Sequence, residues 1–152
     1  MQGKPHSEVA GNGDGTFQAN PVNSFPAYNP AAVGIGDFNH DGKLDIAVAE
    51  QFGTISQVEI MLGNGDGSFA AGDAYSVGSS PNSVAVAGFR SDGKLDLGVS
   101  TLTGVTNILL GNGDGTFRTP AFYPAATNDR FLASGDFNGD RKIYVTLTGA
   151  GD

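Results

Sequence analysis

The sequence predicts an all-β chain, and three observations support this fold class. Short runs in which apolar residues alternate with others dominate the chain, such as "AAVGIGDF", "VEIMLG" and "SVAVAGF", and a period of two is the pattern of a half-buried strand. Twenty-four glycines and seven prolines interrupt these runs, and no window of a dozen residues shows a helical 3.6-residue apolar period. Asp supplies 13 of the 16 acidic residues, which favours turns and metal loops over solvated helices.

An internal repeat with a long period indicates how these strands are organised. The hairpin motif "GNGDGTF" occurs at residues 11–17 and 111–117, and "GNGDGSF" occurs at 63–69, so its copies are 52 and 48 residues apart. Fixed periods of roughly 20 to 50 residues indicate solenoids, propellers or arrays. Within the motif, an Asn before a Gly is typical of a tight turn, so we expect a hairpin with a Phe at the start of its second strand.

A second motif runs in step with the first and marks the other end of each unit. It reads "GDFNHDGKLD", "AGFRSDGKLD" and "GDFNGDRKIY" at residues 36–45, 87–96 and 135–144. Four strands are expected in each complete unit, and four short strands make one blade of a β-propeller. These strands are predicted near 32–37, 45–50, 57–62 and 68–76 in one unit, and near 83–88, 96–101, 105–110 and 116–123 in the next.

The chain is divided so that two predicted blades are whole and one is split between the ends. The segments are a half blade at 1–31, a blade at 32–80, a blade at 81–128 and a half blade at 129–152. Propellers close with roughly four to eight blades, so three blades leave open edges. We expect a homodimer that closes a six-bladed ring, in which each chain completes the other's split blade; a fragment of a longer repeat protein is the alternative.

The first loop, residues 37–45, has the spacing of a hard-cation site. Calcium takes about six to eight oxygen ligands, and alternate side chains of a tight loop can converge on it. Gly42 at position 6 permits the sharp turn, and clustered carboxylates repel one another without a cation. The candidate ligands at positions 1, 3, 5, 7 and 9 are Asp37, Asn39, Asp41, the Lys43 carbonyl and Asp45.

The repeated pattern "GDFNHDGKLDIAVAE…VEIMLGNGDGSF" resembles the FG-GAP/VCBS repeats of bacterial surface and secreted proteins, related to the integrin α-subunit propeller. The resemblance covers essentially the whole chain. It implies a blade with calcium between its first two strands, in extracellular proteins that adhere to cells, matrix or glycans. The loop is not an EF-hand, because Val48 stands at position 12 in place of a bidentate Glu and strands flank it.

The second loop, residues 88–96, departs from this pattern. Gly88 and Arg90 replace the side-chain ligands at positions 1 and 3, so only Asp92 and Asp96 keep oxygen ligands. We predict that this site is empty or weak.

The third loop, residues 136–144, keeps three ligands and loses a fourth. Arg141 stands where the first loop has Gly, and Tyr144 replaces the last Asp. The loop binds a cation if a water or a neighbouring group fills position 9. Its candidate ligands are Asp136, Asn138, Asp140 and the Lys142 carbonyl.

Composition excludes several classes of function. With only eight Lys and Arg and a net charge of −8, the chain has no basic surface for nucleic acid. No apolar run approaches the roughly 18 residues of a membrane span, and no signal-peptide pattern opens the sequence. With no Cys and only two His, we find no recognisable catalytic spacing and predict that the chain is not an enzyme.

Aromatic residues suggest two roles. Those at repeated positions, Phe17, Phe69 and Phe117 in one motif and Phe38, Phe89 and Phe137 in the other, are expected in the core. Loops that differ between repeats are where a scaffold carries specificity, so the candidate ligand-binding residues are Phe25, Tyr28 and Phe52.

Two functions from different classes follow. The first is a calcium-stabilised recognition module that binds a glycan or a protein at an extracellular surface. A loop without a bidentate Glu is expected to bind calcium at about 10⁻⁴–10⁻³ M, the range of extracellular modules. The second is an architectural half propeller whose ligand is calcium alone.

Overall fold

A computed structural model describes residues 6–8, 10–18, 23–25, 29–52, 54–125 and 129–149. These residues form antiparallel strands and no helix, so the all-β prediction is confirmed. The strands are β1 (His6–Glu8), β2 (Asn23–Phe25), β3 (Pro30–Gly36), β4 (Asp45–Phe52), β5 (Ile55–Gly63), β6 (Phe69–Ser76), β7 (Pro81–Ala87), β8 (Asp96–Thr101), β9 (Val105–Leu109), β10 (Ala121–Pro124), β11 (Asp129–Gly135) and β12 (Tyr144–Gly149).

Each complete repeat unit folds as a four-stranded antiparallel meander. The sheets have the orders β3-β4-β5-β6 and β7-β8-β9-β10, and two-stranded sheets β1-β2 and β11-β12 lie at the two ends of the described chain. We call the two meanders the first and second whole units. Strand β3 begins at Pro30, two residues before the predicted boundary. The division into whole and half blades stays a prediction.

The last strand of the second whole unit differs from the prediction. A strand was expected over 116–123, whereas β10 spans Ala121–Pro124 and Phe117 forms only an isolated bridge with Gly111. The reason is Pro120, which has no backbone N–H to donate to the ladder. The corresponding strand of the first whole unit has no Pro and is continuous from Phe69 to Ser76.

The main apolar cluster lies between the two whole units. Val58 and Ile60 of β5 and Leu97 and Val99 of β8 are all 0% exposed, and burying such a side chain contributes about 1.5–3 kcal/mol. Gly34 of β3 allows the units to approach closely. A Cβ at that position would lie 2.7–2.8 Å from the side chains of Val86 and Val84.

The described residues contain no helix that is long and apolar enough to cross a membrane.

Candidate metal loops and the adjacent hairpins

Three oxygen-bearing side chains of the first loop point into the loop. Asp37 Oδ1 and Asn39 Oδ1 both accept a hydrogen bond from the Asp41 amide, at 3.1 and 3.0 Å. Asp37 Oδ2 accepts from Gly42 N at 2.9 Å, and Asp41 Oδ1 accepts from Lys43 N at 2.9 Å. The side-chain oxygens at positions 1 and 3 therefore meet at one backbone amide.

The backbone of the first loop makes this arrangement possible. Gly42 has φ of 81° and His40 has φ of 60°, so the chain twice enters the left-handed region that reverses its direction. The Lys43 carbonyl is the candidate ligand of that residue. Its ammonium group lies 3.6 Å from Asp41 Oδ2, and such an exposed ion pair contributes little to stability.

Asp45, the candidate ligand at position 9, also connects three parts of the fold. Its side chain is 0% exposed. Its Oδ2 accepts from Phe38 N and its Oδ1 from Gly63 N, both at 2.8 Å. These bonds join the start of the first loop to the end of β5. Each carboxylate oxygen has a second lone pair, so the two amides and a cation are compatible at Asp45.

In the second loop, the Arg90 side chain occupies the space among the remaining carboxylates. Its Nη2 lies 2.8 Å from Asp96 Oδ1 and donates to the Gly111 carbonyl at 2.7 Å, and its Nη1 lies 2.9 Å from Asp92 Oδ2. Asp96 accepts from Phe89 N and Gly111 N, as Asp45 does from the equivalent amides. An internal guanidinium therefore supplies positive charge in this loop.

The third loop has the backbone of the first without its glycine. Arg141 has φ of 68° at the position of Gly42, a conformation that costs a non-Gly residue roughly 1 kcal/mol or more. Asp136 accepts from Gly139 N at 2.7 Å and from Arg141 N at 2.8 Å. These amides, that of Arg141 first, lower the pKa of the Asp136 carboxyl.

At the last position of the third loop, a phenol stands in place of a carboxylate. The Tyr144 hydroxyl donates to Asp140 Oδ2 at 3.0 Å and accepts from Asn138 Nδ2 at 3.1 Å. Asp140 also accepts from Lys142 N at 2.9 Å. The bond from Lys142 N is the main cause of the lowered pKa of Asp140. Tyr144 thus binds two candidate ligands without contributing an anionic oxygen.

The donor chemistry of the first loop fits a hard cation. Its side-chain donors are two carboxylates and an amide in an exposed loop, with a third carboxylate at its base. Within the described part of the chain, no three His, Cys, Asp or Glu side chains are grouped closely enough to hold a metal by themselves. The structure therefore does not bring the three candidate carboxylates, Asp37, Asp41 and Asp45, into one such group.

The hairpin motif uses its Asp to close a turn. Asp14 Oδ1 accepts from Thr16 N at 2.9 Å and from Thr16 Oγ1 at 2.6 Å. The Asp66 and Asp114 carboxylates bind the hydroxyl and the amide at the equivalent position. The hydroxyl bond is the main cause of a lowered pKa at each of the three carboxyls. The hairpin prediction is confirmed, and the motif is a five-residue loop rather than a two-residue turn.

The first Gly of the hairpin motif lies against the candidate metal loop of the same unit in both whole units. A Cβ at Gly63 would collide with the Leu44 carbonyl oxygen, and a Cβ at Gly111 would collide with that of Leu95. Each hairpin is therefore packed on the end of the loop beside it. Gly11 has no such neighbour among the described residues; a Cβ at Gly11 would lie 3.8 Å from its nearest atom, in the Phe17 ring.

The first two loops and the first two hairpins lie in a segment that matches a known repeat. The family model described as FG-GAP-like repeat matches residues 9–48 and 37–99, which together exceed half of the 152 residues. The chain belongs to the FG-GAP-like repeat family. A search of the curated proteins found no match. The two matched FG-GAP-like segments include the hairpins at 11–17 and 63–69, the first and second loops, and the strands from β2 to β7.

The aromatic side chains of the FG-GAP-like repeats divide between core and surface. Phe38 and Phe117 are 3% and 6% exposed, as predicted for repeated positions. The prediction is wrong for Phe17 and Phe137, which are 68% and 63% exposed. Phe17 lies before the first whole unit and Phe137 lies after the second, whereas Phe38 and Phe117 lie within the whole units and contact each other between them.

The candidate ligand-binding aromatics stay predictions. Phe25 ends β2 and Phe52 ends β4, but their side chains lie outside the described part of the chain, and so does all of Tyr28. The longer segment around Phe52 forms an extended hairpin. The β4-β5 ladder continues to the pair Phe52 with Ile55, three pairs beyond the level at which the β8-β9 ladder ends.

Two tyrosines at equivalent positions of this FG-GAP-like chain were not predicted from the sequence. Tyr75 lies six residues after Phe69, and Tyr123 lies six residues after Phe117. The Tyr75 hydroxyl accepts a hydrogen bond from Phe117 N of the next unit at 2.7 Å. The equal offset in two copies of the repeat was the signal that could have identified both residues.

Proposed function

We propose that this chain is a non-catalytic, calcium-binding β-propeller module that recognises a glycan or a protein at an extracellular surface. Membership of the FG-GAP-like repeat family supports a module of this type, and the four-stranded meanders have the form of propeller blades. The proposal includes a homodimer that closes six blades.

The observation that carries the proposal is the geometry of the first loop. The side-chain oxygens of Asp37 and Asn39 lie about 3 Å from one backbone nitrogen, and Asp41 adds a carboxylate beside them. Calcium prefers hard oxygen ligands, and a left-handed Gly at position 6 permits the sharp turn of such a loop. At about 10⁻⁴–10⁻³ M affinity the site would be filled outside cells.

Isothermal titration with calcium tests this proposal. Asp41→Ala removes a ligand from the first loop and is expected to abolish the strongest binding heat. Asp92→Ala is the matched control, because it changes the same position of the second loop, where Arg90 already compensates the charge. Equal binding by the wild type and Asp41→Ala would contradict the assignment of calcium to this loop.

An architectural role is the second candidate, and an open surface favours it. Strand β12 pairs only with β11 among the described residues, and an apolar cleft lies beside it. A self-assembling half propeller needs such a surface. A glycan array probed in calcium and in chelator separates the two: calcium-dependent binding supports recognition, and its absence supports architecture.

A further inference from the structure

The contact between the two whole units is built around one Phe of a hairpin. Phe117 of the second unit packs edge-on against Phe38 and Tyr75 of the first, with ring centroids 5.4 and 5.8 Å apart. Its backbone N donates to the Tyr75 hydroxyl at 2.7 Å. Gly115 N of the same hairpin donates to the Phe38 carbonyl at 3.0 Å. The hairpin of one unit thus closes the face of the unit before it.

The second whole unit has an equivalent Tyr, and no hairpin of the described residues packs against it. Its Tyr123, the counterpart of Tyr75, is 54% exposed. A cleft of about 270 Å³ lies beside it, and its lining is almost entirely apolar. In the first unit, the side chains of Val58 and Ile60 are fully buried against the next sheet. At the equivalent place in the second unit lies the cleft. The lining residues are Thr106, Ile108, Tyr123, Pro124, Val145 and Leu147.

The cleft lies where a third and a fourth strand would complete the last sheet. In the second whole unit, β8 pairs with β9 through Leu97 with Leu109 and Val99 with Asn107. The equivalents of the β8 residues are Val145 and Leu147 of β12, which line the cleft. The described part of the chain offers β12 no partner on this edge.

The first hairpin of the chain repeats the sequence of the hairpin that covers the first whole unit. Residues 11–17 carry the same motif as 111–117, and all of them are exposed. Phe17, the counterpart of Phe117, is 68% exposed, a large apolar area for a side chain that is buried in the equivalent unit. The strands on either side, β1 and β2, already form an antiparallel pair, as third and fourth strands do.

We propose that the hairpin 11–17 of a second copy of this chain docks in this cleft. Phe17 of that copy packs against Tyr123 and its amide donates to the Tyr123 hydroxyl, while β1 adds to the free edge of β12. The proposal rests on the propeller architecture proposed above and identifies the contact that closes it.

A substitution at Gly11 can test docking without disturbing the fold of the single chain. In its own chain a Cβ at this position has room, at 3.8 Å from the nearest atom, and the residue has no positive φ. In the docked hairpin, Gly11 takes the place of Gly63 and Gly111, which lie against the carbonyls of Leu44 and Leu95. A methyl group there would collide with the equivalent carbonyl, that of Ile143.

Analytical ultracentrifugation of the 152-residue chain tests the proposal. The wild type is expected at twice 15.5 kDa or more. Gly11→Ala is expected to sediment as a monomer at the same concentration, with an unchanged circular dichroism spectrum that shows the chain still folds. Gln18→Ala, on the same exposed hairpin, is the control and is expected to assemble. Tyr123→Phe removes one hydrogen bond and should weaken assembly about fivefold.

Two results would overturn the proposal. One is a monomeric wild type, and the other is assembly that Gly11→Ala leaves intact, which would assign the contact to another surface. A calcium titration of the same samples keeps the two proposals apart. Calcium binding by a chain that never assembles refutes the docking alone, whereas assembly that depends on Gly11 supports docking even where calcium does not bind.

Discussion

The structural role of the Asp45 carboxylate can be measured separately from its proposed role as a calcium ligand, because unfolding can be followed without calcium. Replacing Asp45 with Ala leaves Phe38 N and Gly63 N without their acceptor at a site that is 0% exposed. Each buried donor left without a partner costs about 1–3 kcal/mol, so the free energy of unfolding should fall by about 2–6 kcal/mol. A domain has only about 5–15 kcal/mol in total. Urea denaturation in chelator measures this loss with no calcium present.

Asp41→Ala is the matched control for that experiment. Asp41 is exposed, and its carboxylate contacts the backbone N–H and the ammonium group of Lys43 in its own loop, so its replacement should change the free energy of unfolding in chelator by less than about 1 kcal/mol. The same variant should lose calcium binding. If Asp45→Ala unfolds in chelator within about 1 kcal/mol of the wild type, the carboxylate does not join the loop to β5 as argued.

Two further predictions concern charge. Gly88→Asp together with Arg90→Asn rebuilds the first loop's ligand pattern in the second loop and removes the internal guanidinium, so titration calorimetry should count one more calcium ion per chain; an unchanged stoichiometry would contradict the role given to Arg90. Burial, and then the neighbouring Glu50 carboxylate, raise the pKa of Glu59 above its ordinary value of 4.5. Because the folded state then binds the proton more tightly than the unfolded chain, stability is lost as pH rises from 4.5 through the raised pKa. Glu59→Gln should remove that loss and unfold at higher urea than the wild type at pH 7, with little difference at pH 4; a variant that follows the wild type at both pH values would refute the shift.

The order of strands was predictable from the sequence because the repeat is explicit. Each four-strand unit contains one copy of each motif, one between its first two strands and one between its last two, and alternation marks the strands themselves. The turn of the first loop was predictable for the same reason, since its candidate ligands alternate within nine consecutive residues; that they bind calcium stays a prediction. Local spacing is sufficient wherever the interacting groups are close along the chain.

The parts that were not predicted depend on contacts between distant residues. Gly63 N, which binds Asp45, lies 18 residues further along the chain. The sequence showed only that Arg90 replaces a ligand. In the structure its side chain binds Asp96 and also the carbonyl of Gly111, which lies 21 residues further along the chain. The bond between Tyr75 and Phe117 spans 42 residues. No local pattern shows such pairs, because the packing of the sheets brings them together.

The central claim is that calcium stabilises this fold through the first loop. The most direct measurement is thermal unfolding of the wild type in 10 mM calcium and in chelator. At an affinity of about 10⁻⁴–10⁻³ M, binding to the folded state alone would add about 1.4–2.7 kcal/mol at roughly 10 mM calcium. For a chain of this size that corresponds to a rise of roughly 3–10 °C in the melting temperature. Identical melting in calcium and in chelator would contradict the claim.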